Sequence, residues 1–370
     1  MSDRPADGPD GRDRSREGRR KPFRVALVGY GLAGRVFHGP LVSGAPGLVV
    51  RTVVTGDPDR AAAARADLPG TVVVGRLDDL WARSDEHDLV VVASPSGTHV
   101  EVALAALDHR LAVVVDKPLA TTAADGRRIV DAARAAGRLL TVFHNRRWDS
   151  DQLTLRRLVE AGELGTVFRH ESRFERWSPE RAAGRWRDEL PPERGGGALA
   201  DLGPHLVDQA LELFGPVERV YAEVHARRGG VADDEAFLAL AHASGVRSHL
   251  SLGLVFGAPG PRRRVVGELG SFVVDRLDGQ EDALRAGARP GGPGFGVEPP
   301  ERYGRLVTGD DVRAVPSEPG RWPAFYAGVV DALRGLAPAP VDPADAVAGL
   351  AVLDAARMSA ARGRVEVLVD

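Results

Sequence analysis

The sequence predicts a doubly wound parallel α/β sheet followed by an α+β domain with a largely antiparallel, open-faced sheet. Three observations carry this expectation. Apolar runs of strand length alternate with helix-length segments through residues 23–143, as strands buried on both faces of a parallel sheet require. The first run leads straight into Gly29-Tyr30-Gly31-Leu32-Ala33-Gly34 and then a helix. Beyond residue 150, β-rich runs succeed one another with no helix between them, the pattern of antiparallel pairing. At 370 residues the chain is comfortable for two cores. The expected division is a disordered tail over 1–22, a first domain over 23–145 and a second over 146–370, with room for the last helices to pack back on the first domain.

Residues 1–22 are mostly Asp, Arg, Gly, Glu, Pro and Ser without hydrophobic periodicity, too polar to offset the entropy of ordering. Phe23–Val28 reads as the first strand. The glycine hexapeptide is weak by itself in a chain with 44 glycines. Between a strand and a helix it has a mechanism: glycines allow the tight turn and the close approach of a pyrophosphate, met by amides at the helix start. Leu48–Thr55 is a second strand, Asp59–Asp67 a helix and Thr71–Val74 a third strand. Leu89–Ala93 is a fourth, followed by Ser94-Pro95-Ser96-Gly97-Thr98-His99 and a helix through Leu107. Leu111–Val115 is a fifth, ending at Asp116-Lys117-Pro118; a helix over Ala123–Ala136 and a sixth strand at Leu139–Phe143 complete a dinucleotide-binding domain. Ligands of such sheets lie beyond the carboxyl ends of the strands. That places Ser94 to His99, Asp116 with Lys117, and His144-Asn145-Arg146-Arg147-Trp148 at the candidate site.

In the second domain, Leu153–Ala161 reads as a helix and Thr166–Phe174 as a strand. Gly195-Gly196-Gly197 is a hinge opening an amphipathic helix through Phe214, on which Asp201 and His205, four apart, share one face. Pro204 lacks an amide hydrogen and belongs in a first turn, so the helix should start close to Asp201. Taken alone, the pair is equally well explained by a helix with Asp201 as its cap. Strands follow at Val220–Arg227, Ala236–Ala243, Arg247–Val255, Arg264–Leu269 and Ser271–Leu277. Residues 278–320, rich in Gly, Pro and charge, read as irregular. Helices over Trp322–Gly335 and Pro343–Arg362 and a strand over Arg364–Val369 close the chain.

Composition excludes several classes of function. Hydrophobic content of 43% and charged content of 27% are those of a soluble globular protein. No apolar run approaches the roughly 20 residues a membrane span needs, and a cytoplasmic location without a membrane partner is expected. The absence of cysteine removes disulfides, thiolate metal sites and a cysteine nucleophile. A net charge of −3 offers nucleic acid no general attraction. The basic run Arg262-Arg263-Arg264 reads as a solvated strand end or a subunit contact.

These motifs resemble the glucose-fructose oxidoreductase / inositol dehydrogenase / rhizopine-catabolism (Gfo/Idh/MocA) family of NAD(P)-dependent oxidoreductases, over nearly the whole chain after the tail. Gly29-Tyr30-Gly31-Leu32-Ala33-Gly34 resembles its Rossmann dinucleotide loop, Asp116-Lys117-Pro118 its Glu-Lys-Pro motif, and Asp201 with His205 its paired acid and histidine. Three long strings are similar to the NADP-dependent scyllo-inositol dehydrogenase-like branch: Val36-Phe37-His38-Gly39-Pro40-Leu41, Phe143 through Asp151, and Asp278 through Gly287. The resemblance implies hydride transfer between a nicotinamide and a secondary hydroxyl of a cyclic polyol or sugar. It implies His205 as the acid/base, Lys117 as the oxyanion partner and Asp201 as a substrate-binding carboxylate.

The chemistry agrees with those roles. A base must take the hydroxyl proton as hydride leaves carbon, and a histidine, with its ordinary pKa near neutrality, suits that task. Lys117 can donate to the same oxygen. The cofactor-binding set expected from the loop and strand ends is Gly29, Gly31, Leu32, Ala33, Thr55, Arg60, Ser94, Pro95, His99, Asp116, Lys117 and Arg187. Asp116 stands where the family more often has glutamate. Trp186-Arg187 is similar to a pair that reaches the nicotinamide in some relatives, although a core tryptophan explains it as well. Lys117, Asn145, Asp201 and His205 are the expected substrate contacts, with Asn145, Arg146 and Arg147 on the interdomain edge. The cofactor is NADP or NAD: Asp57 argues against an extra phosphate, Thr55 and Arg60 can hold one, and overall similarity favours NADP. Glycosidase chemistry through transient oxidation, a non-catalytic nucleotide sensor, and a metal site at Asp201, His205 and Asp208 are the competing readings; no metal is expected. A homodimer or homotetramer through the open sheet is the expected assembly.

Overall fold

The computed structural model describes residues 21–181 and 184–368, so the expected tail lies outside the described residues apart from Lys21 and Pro22. Six parallel strands, β1 (Phe23–Val28), β2 (Leu48–Val54), β3 (Val72–Val74), β4 (Leu89–Val92), β5 (Ala112–Asp116) and β6 (Leu140–Phe143), pair in the order β3-β2-β1-β4-β5-β6. Between them run α1 (Gly39–Gly44), α2 (Pro58–Asp67), α3 (Leu77–Trp81), α4 (His99–Asp108) and α5 (Ala123–Ala136). The strand order reverses between β1 and β4, which opens a crevice at their carboxyl ends.

The apolar runs are continuous because both sheet faces are covered. Ala26, Val28, Val90, Val92, Val113 and Val115 point into one core, and Val25, Leu27, Leu89, Val91, Ala112 and Val114 into the other. Local chemistry then sets the helix ends. In α5, for example, the Thr122 hydroxyl accepts from Asp125 N at 3.1 Å, and Gly137 closes the helix at φ 61°. The unexpected α3 is only five residues long.

The second half contributes α6 (Ser150–Glu160), β7 (Val167–Glu175), α7 (Trp186–Glu189), α8 (Ala198–Phe214), β8 (Val217–His225), β9 (Glu235–His242), β10 (Arg247–Gly253), β11 (Arg263–Gly267), β12 (Gly270–Val274), α9 (Gln280–Arg285), β13 (Gly304–Thr308), β14 (Asp311–Val315), α10 (Pro323–Leu333), α11 (Pro343–Arg362) and β15 (Glu366–Val367). The strands form one nine-stranded sheet in the order β14-β13-β12-β11-β7-β10-β9-β8-β15. Every ladder in it is antiparallel except β7 with β10. On α10, Phe325, Tyr326, Val329 and Val330 pack into the second core of the parallel sheet, while Leu350 and Leu353 of α11 join the first.

Two expectations need correction. Residues 278–320 are not irregular throughout: they hold α9 and the β13–β14 hairpin, whose register runs from Gly304 opposite Val315 to Thr308 opposite Asp311. β14 is exposed at four of its five positions, so it carries no hydrophobic alternation to read. Nor is Arg262-Arg263-Arg264 a solvated strand end. Arg262 is 3% and Arg263 0% exposed. Arg262 donates to Ser172 Oγ at 2.6 Å and Gln209 Oε1 at 2.9 Å, and Arg263 donates to Gln152 Oε1 at 2.6 Å beside Asp151. Only Arg264 reaches solvent.

Candidate active site

The dinucleotide loop is shaped by what glycine lacks. Gly29 sits at φ +96°, and a Cβ there would come within 2.6 Å of Ala93 O; one at Gly34 would collide with the Gly29 carbonyl. Gly31 is different, since its Cβ would meet only Arg60 Nη1, at 3.8 Å. The space above Gly31 is therefore open to a ligand, and the helix beyond begins with Leu32 and Ala33, which line the cleft. It opens as a π-helical turn, Ala33–His38, before α1. A closed turn with open space over its middle glycine fits a pyrophosphate at a helix start.

At the end of β2, Asp57 is committed to α2: its Oδ1 accepts from Asp59 N and Arg60 N, both at 3.0 Å. Its Oδ2 lies 3.4 Å from Arg60 Nε. The arginine thus lies against the Asp57 carboxylate and keeps its Nη1 beside Gly31. Thr55 Oγ1 accepts from Asp57 N at 3.4 Å.

After β4, the Ser94 hydroxyl is bonded to that of Thr98 at 2.7 Å. His99 turns inward and is 1% exposed. Its Nδ1 lies 2.8 Å from Pro118 O and its Nε2 2.9 Å from Ser94 O, so whichever nitrogen bears the proton donates to its carbonyl. The ring, expected among the cofactor contacts, has both nitrogens on backbone carbonyls and ties the β4–α4 loop to the turn after β5.

That turn carries the central pair. Lys117 Nζ donates to Asp201 O at 2.6 Å and to Asp201 Oδ1 at 2.9 Å, joining the end of β5 to α8 of the second domain. Asp201 Oδ1 is also 3.1 Å from Arg187 Nε. Burial would raise the Asp201 carboxyl, but Lys117 and Arg187 outweigh it and hold the group far below the usual carboxylate range.

Why Asp201 is free to do this is visible at the start of α8. Asp233, not Asp201, satisfies the first amides: Ala198 N donates to Asp233 O at 2.8 Å, and Leu199 N to its carboxylate at 2.6 Å. Gly197 must be glycine, because a Cβ at its φ of +96° would run into the Asp233 carboxylate. The helix therefore begins at Ala198, three residues before Asp201, and Pro204 lies inside it rather than in its first turn. Buried Leu199, Leu202, Leu206, Val207 and Ala210 hold the helix across the proline, while the lost amide bond falls one turn back, next to the carbonyl that Lys117 occupies.

His205, one turn on, is 7% exposed, and its Nδ1 is buried without a hydrogen-bond partner among the described residues. Phe174 packs against the ring at 5.8 Å between centroids. Burial, and then the charges of Lys117, Arg146, His144 and Arg262, push the imidazole well below 6.5. It is a neutral base at neutral pH.

One cleft brings together Leu32, Ala33, Asp116, Lys117, Asn145, Arg187, Asp201 and His205. Gly29, Gly31, Thr55, Arg60, Ser94, Pro95 and His99 do not line it. Of Asn145, Arg146 and Arg147, the first two line the cleft, Arg146 with its guanidinium tied to Asp149 at 3.0 Å and Glu281 at 2.9 Å. Arg147 is committed to Asp208 at 2.6 Å and Asp345 at 3.0 Å. Asp208 is thereby removed from the metal reading; among the described residues no group of three or more His, Asp or Glu side chains is placed to hold a metal ion. A roomier hollow of about 680 Å³ lies between Tyr30, Arg35 and Arg289, but it contains neither Lys117 nor the α8 pair.

One participant escaped the sequence reading. His38 is 0% exposed, with Nδ1 2.7 Å from the Tyr326 hydroxyl and Nε2 3.6 Å from Asp116 Oδ1. A carboxylate only accepts, so Nε2 can face Asp116 favourably only as a donor, at a separation beyond a direct hydrogen bond. Burial would raise Asp116, yet His38 and Lys117 hold it low. His38 stands in the Val36–Leu41 string, but its partner on α10 is 288 residues away.

Residues 23–144 match the family model "Oxidoreductase family, NAD-binding Rossmann fold", and residues 156–368 match "Oxidoreductase family, C-terminal alpha/beta domain". Among characterised relatives, scyllo-inositol 2-dehydrogenase (NADP(+)) IolW of Bacillus subtilis is 35% identical over 95% of this chain and 98% of its own length. Inositol 2-dehydrogenase 2 of Saccharopolyspora erythraea is 34% identical over 68% of this chain and 73% of its own. The solved structure of yvaA from Bacillus subtilis superposes with a TM-score of 0.88 at 34% identity, covering 94% of this chain and 99% of that one. YPO2259 from Yersinia pestis gives 0.85 at 37%, covering 95% and 98%.

Proposed function

The chain belongs to the Gfo/Idh/MocA oxidoreductase family, a dehydrogenase with an NAD(P)-binding Rossmann domain acting on a small molecule, and from that premise we propose that it oxidises a secondary hydroxyl of a cyclic polyol or sugar, reversibly, with NADP. The observation that carries this reading is the bond from Lys117 to Asp201 across the two domains, in a cleft shared with His205 and the dinucleotide loop. When bound there, the nicotinamide supplies the hydride acceptor. His205, neutral, takes the hydroxyl proton. Lys117, with two of its three ammonium hydrogens on Asp201, keeps one for the same oxygen and stabilises the charge that grows on it. Asp201 fixes the ammonium, and Asn145 offers an amide to a ring hydroxyl.

NADP is favoured by the corner after β2. Asp57 is engaged by the α2 cap and by Arg60, which weakens its claim on a ribose diol. Arg60, beside Gly31, is placed for a phosphate. For assembly, the face carrying Tyr221, Ala239 and His249, away from α8 and α11, is the surface for a second copy of the chain.

A panel of inositols, aldoses and sugar alcohols, each with NADP and NAD separately, tests the proposal by absorbance of the reduced nicotinamide. Steady formation with NADP on a cyclic polyol or aldose is the expected result. Turnover of a chromogenic glycoside without added cofactor, and no release of reduced nicotinamide, would instead favour the oxidation–elimination route.

A further inference from the structure

The charge balance of the cleft does not suit a neutral ring. Six cations line it, Lys117, Arg146, Arg176, Arg185, Arg187 and Arg285, against only three carboxylates, Asp116, Asp201 and Glu281. Hydroxyl groups are recognised partly by acceptors, and here every acceptor of full charge is already engaged. Asp201 holds Lys117 and Arg187. Glu281 holds Arg146 at 2.9 Å and Arg285 at 2.8 Å. Asp116 faces His38 and accepts from Lys117 N at 3.0 Å. What is left over is cationic.

The surplus is localised. Arg176 and Arg185 make no ion pair and no side-chain hydrogen bond among the described residues, and both line the cleft. They also line an extension of it, on the far side of Asp201, whose walls include Trp177, Ser178 and Ala198 and none of the dinucleotide-loop residues. Their backbones are fixed: Arg176 N donates to Gly253 O at 2.9 Å at the end of the sheet, and Arg185 O accepts from Asp188 N at 2.8 Å as α7 begins. No residue of the glycine loop, where the cofactor's phosphates would be held, lines this extension. A positively charged oxidised nicotinamide near Lys117 adds to the surplus rather than cancelling it.

We propose that the substrate bears an oxyanion, a carboxylate or a phosphate ester on the sugar or cyclitol ring, held between Arg176 and Arg185 while a ring hydroxyl meets Lys117 and His205. This deepens the polyol dehydrogenase reading and rests on it. Two arginines matched to one oxyanion form charge-assisted, fork-like bonds, and a neutral ring leaves both unpaired. The arrangement selects at the substituent, not at the reacting carbon.

Matched pairs test it, with NADP throughout: D-glucose against D-glucuronate for a carboxylate and against D-glucose 6-phosphate for a phosphate, and myo-inositol against its 1-phosphate. At least one charged member should exceed its neutral partner in kcat/KM by roughly tenfold or more, the range of a charge-assisted bond. In the Arg176→Met, Arg185→Met double variant that ratio should collapse to about one, through KM of the charged substrate, while KM for NADP holds. Equal or better use of the neutral members overturns the oxyanion proposal and leaves the dehydrogenase reading standing. So does a double variant that slows charged and neutral substrates alike. If no member of any pair yields reduced nicotinamide, both readings fall together.

Discussion

Replacing Lys117 with methionine isolates the group on which the chemistry turns. Two of its ammonium hydrogens are taken by Asp201, at 2.6 and 2.9 Å, so the substitution deletes one donor aimed at the reacting oxygen. Loss of one such donor costs about 2.7–4 kcal/mol at the transition state, a drop in kcat of roughly 10²–10³. Folding should suffer less. The side chains of Lys117 and Asp201 are 12% and 29% exposed, and Asp201 keeps Arg187 at 3.1 Å, so its charge is not stranded. A stability loss of about 1–2 kcal/mol follows, short of the ~3–5 kcal/mol for a buried partner left alone. Lys117→Arg should not restore the rate, because a planar fork cannot meet the Asp201 carbonyl, its carboxylate and a substrate oxygen at once. The assay is steady-state formation of reduced nicotinamide, with cofactor binding followed by fluorescence as the check on folding. A variant that binds cofactor and keeps kcat within about threefold of the parent would refute the oxyanion role, since the lost donor is worth far more.

Three further outcomes follow from the same geometry. Gly31→Ala should fold with an unchanged melting temperature, because its Cβ meets only Arg60 at 3.8 Å, yet bind NADP about tenfold or more weakly by crowding the pyrophosphate; Gly29→Ala, facing Ala93 O at 2.6 Å, should lose stability itself. For polyol oxidation, log kcat/KM should stay flat as pH falls through 6.5, since the lowered pKa keeps His205 unprotonated there, and should decline only at lower pH; a break at or above 6.5 would contradict this. Arg263→Met should strand the buried Asp151 carboxylate 3.3 Å away and cost about 3–5 kcal/mol in denaturant unfolding, most of it recovered in the Arg263→Met, Asp151→Leu pair.

The parallel sheet was legible because burial on both faces leaves a continuous apolar run, as in Leu89–Val92, and because the glycines of the first turn have a steric purpose that a sequence displays. That Lys117, Asp201 and His205 would meet in one cleft was expected from the family resemblance and the strand ends, since the four-residue spacing alone fits a capped helix equally well. What was hidden depended on distant partners. Pro204 inside α8 makes sense only once Asp233, from beyond β8, is seen capping the helix three residues earlier than expected. Arg262 and Arg263 read as surface until Gln152, Gln209 and Ser172 are brought against them. His99 and His38 are both histidines near the loop, yet one is consumed by backbone carbonyls and the other serves Asp116 with help from α10. β14 left no mark because an exposed edge strand has no buried face to impose a period.

The central claim, hydride transfer from a ring carbon with the proton passing to His205, is tested most directly by isotope. The best substrate from the panel is prepared with deuterium on the carbon that bears the reacting hydroxyl and turned over with NADP. Deuterium should appear at C4 of the reduced nicotinamide, in one-to-one ratio with ketone product, and the His205→Asn variant should lose this transfer while still binding cofactor. Product formed with the deuterium washed into solvent, or transfer unimpaired in the variant, would contradict it.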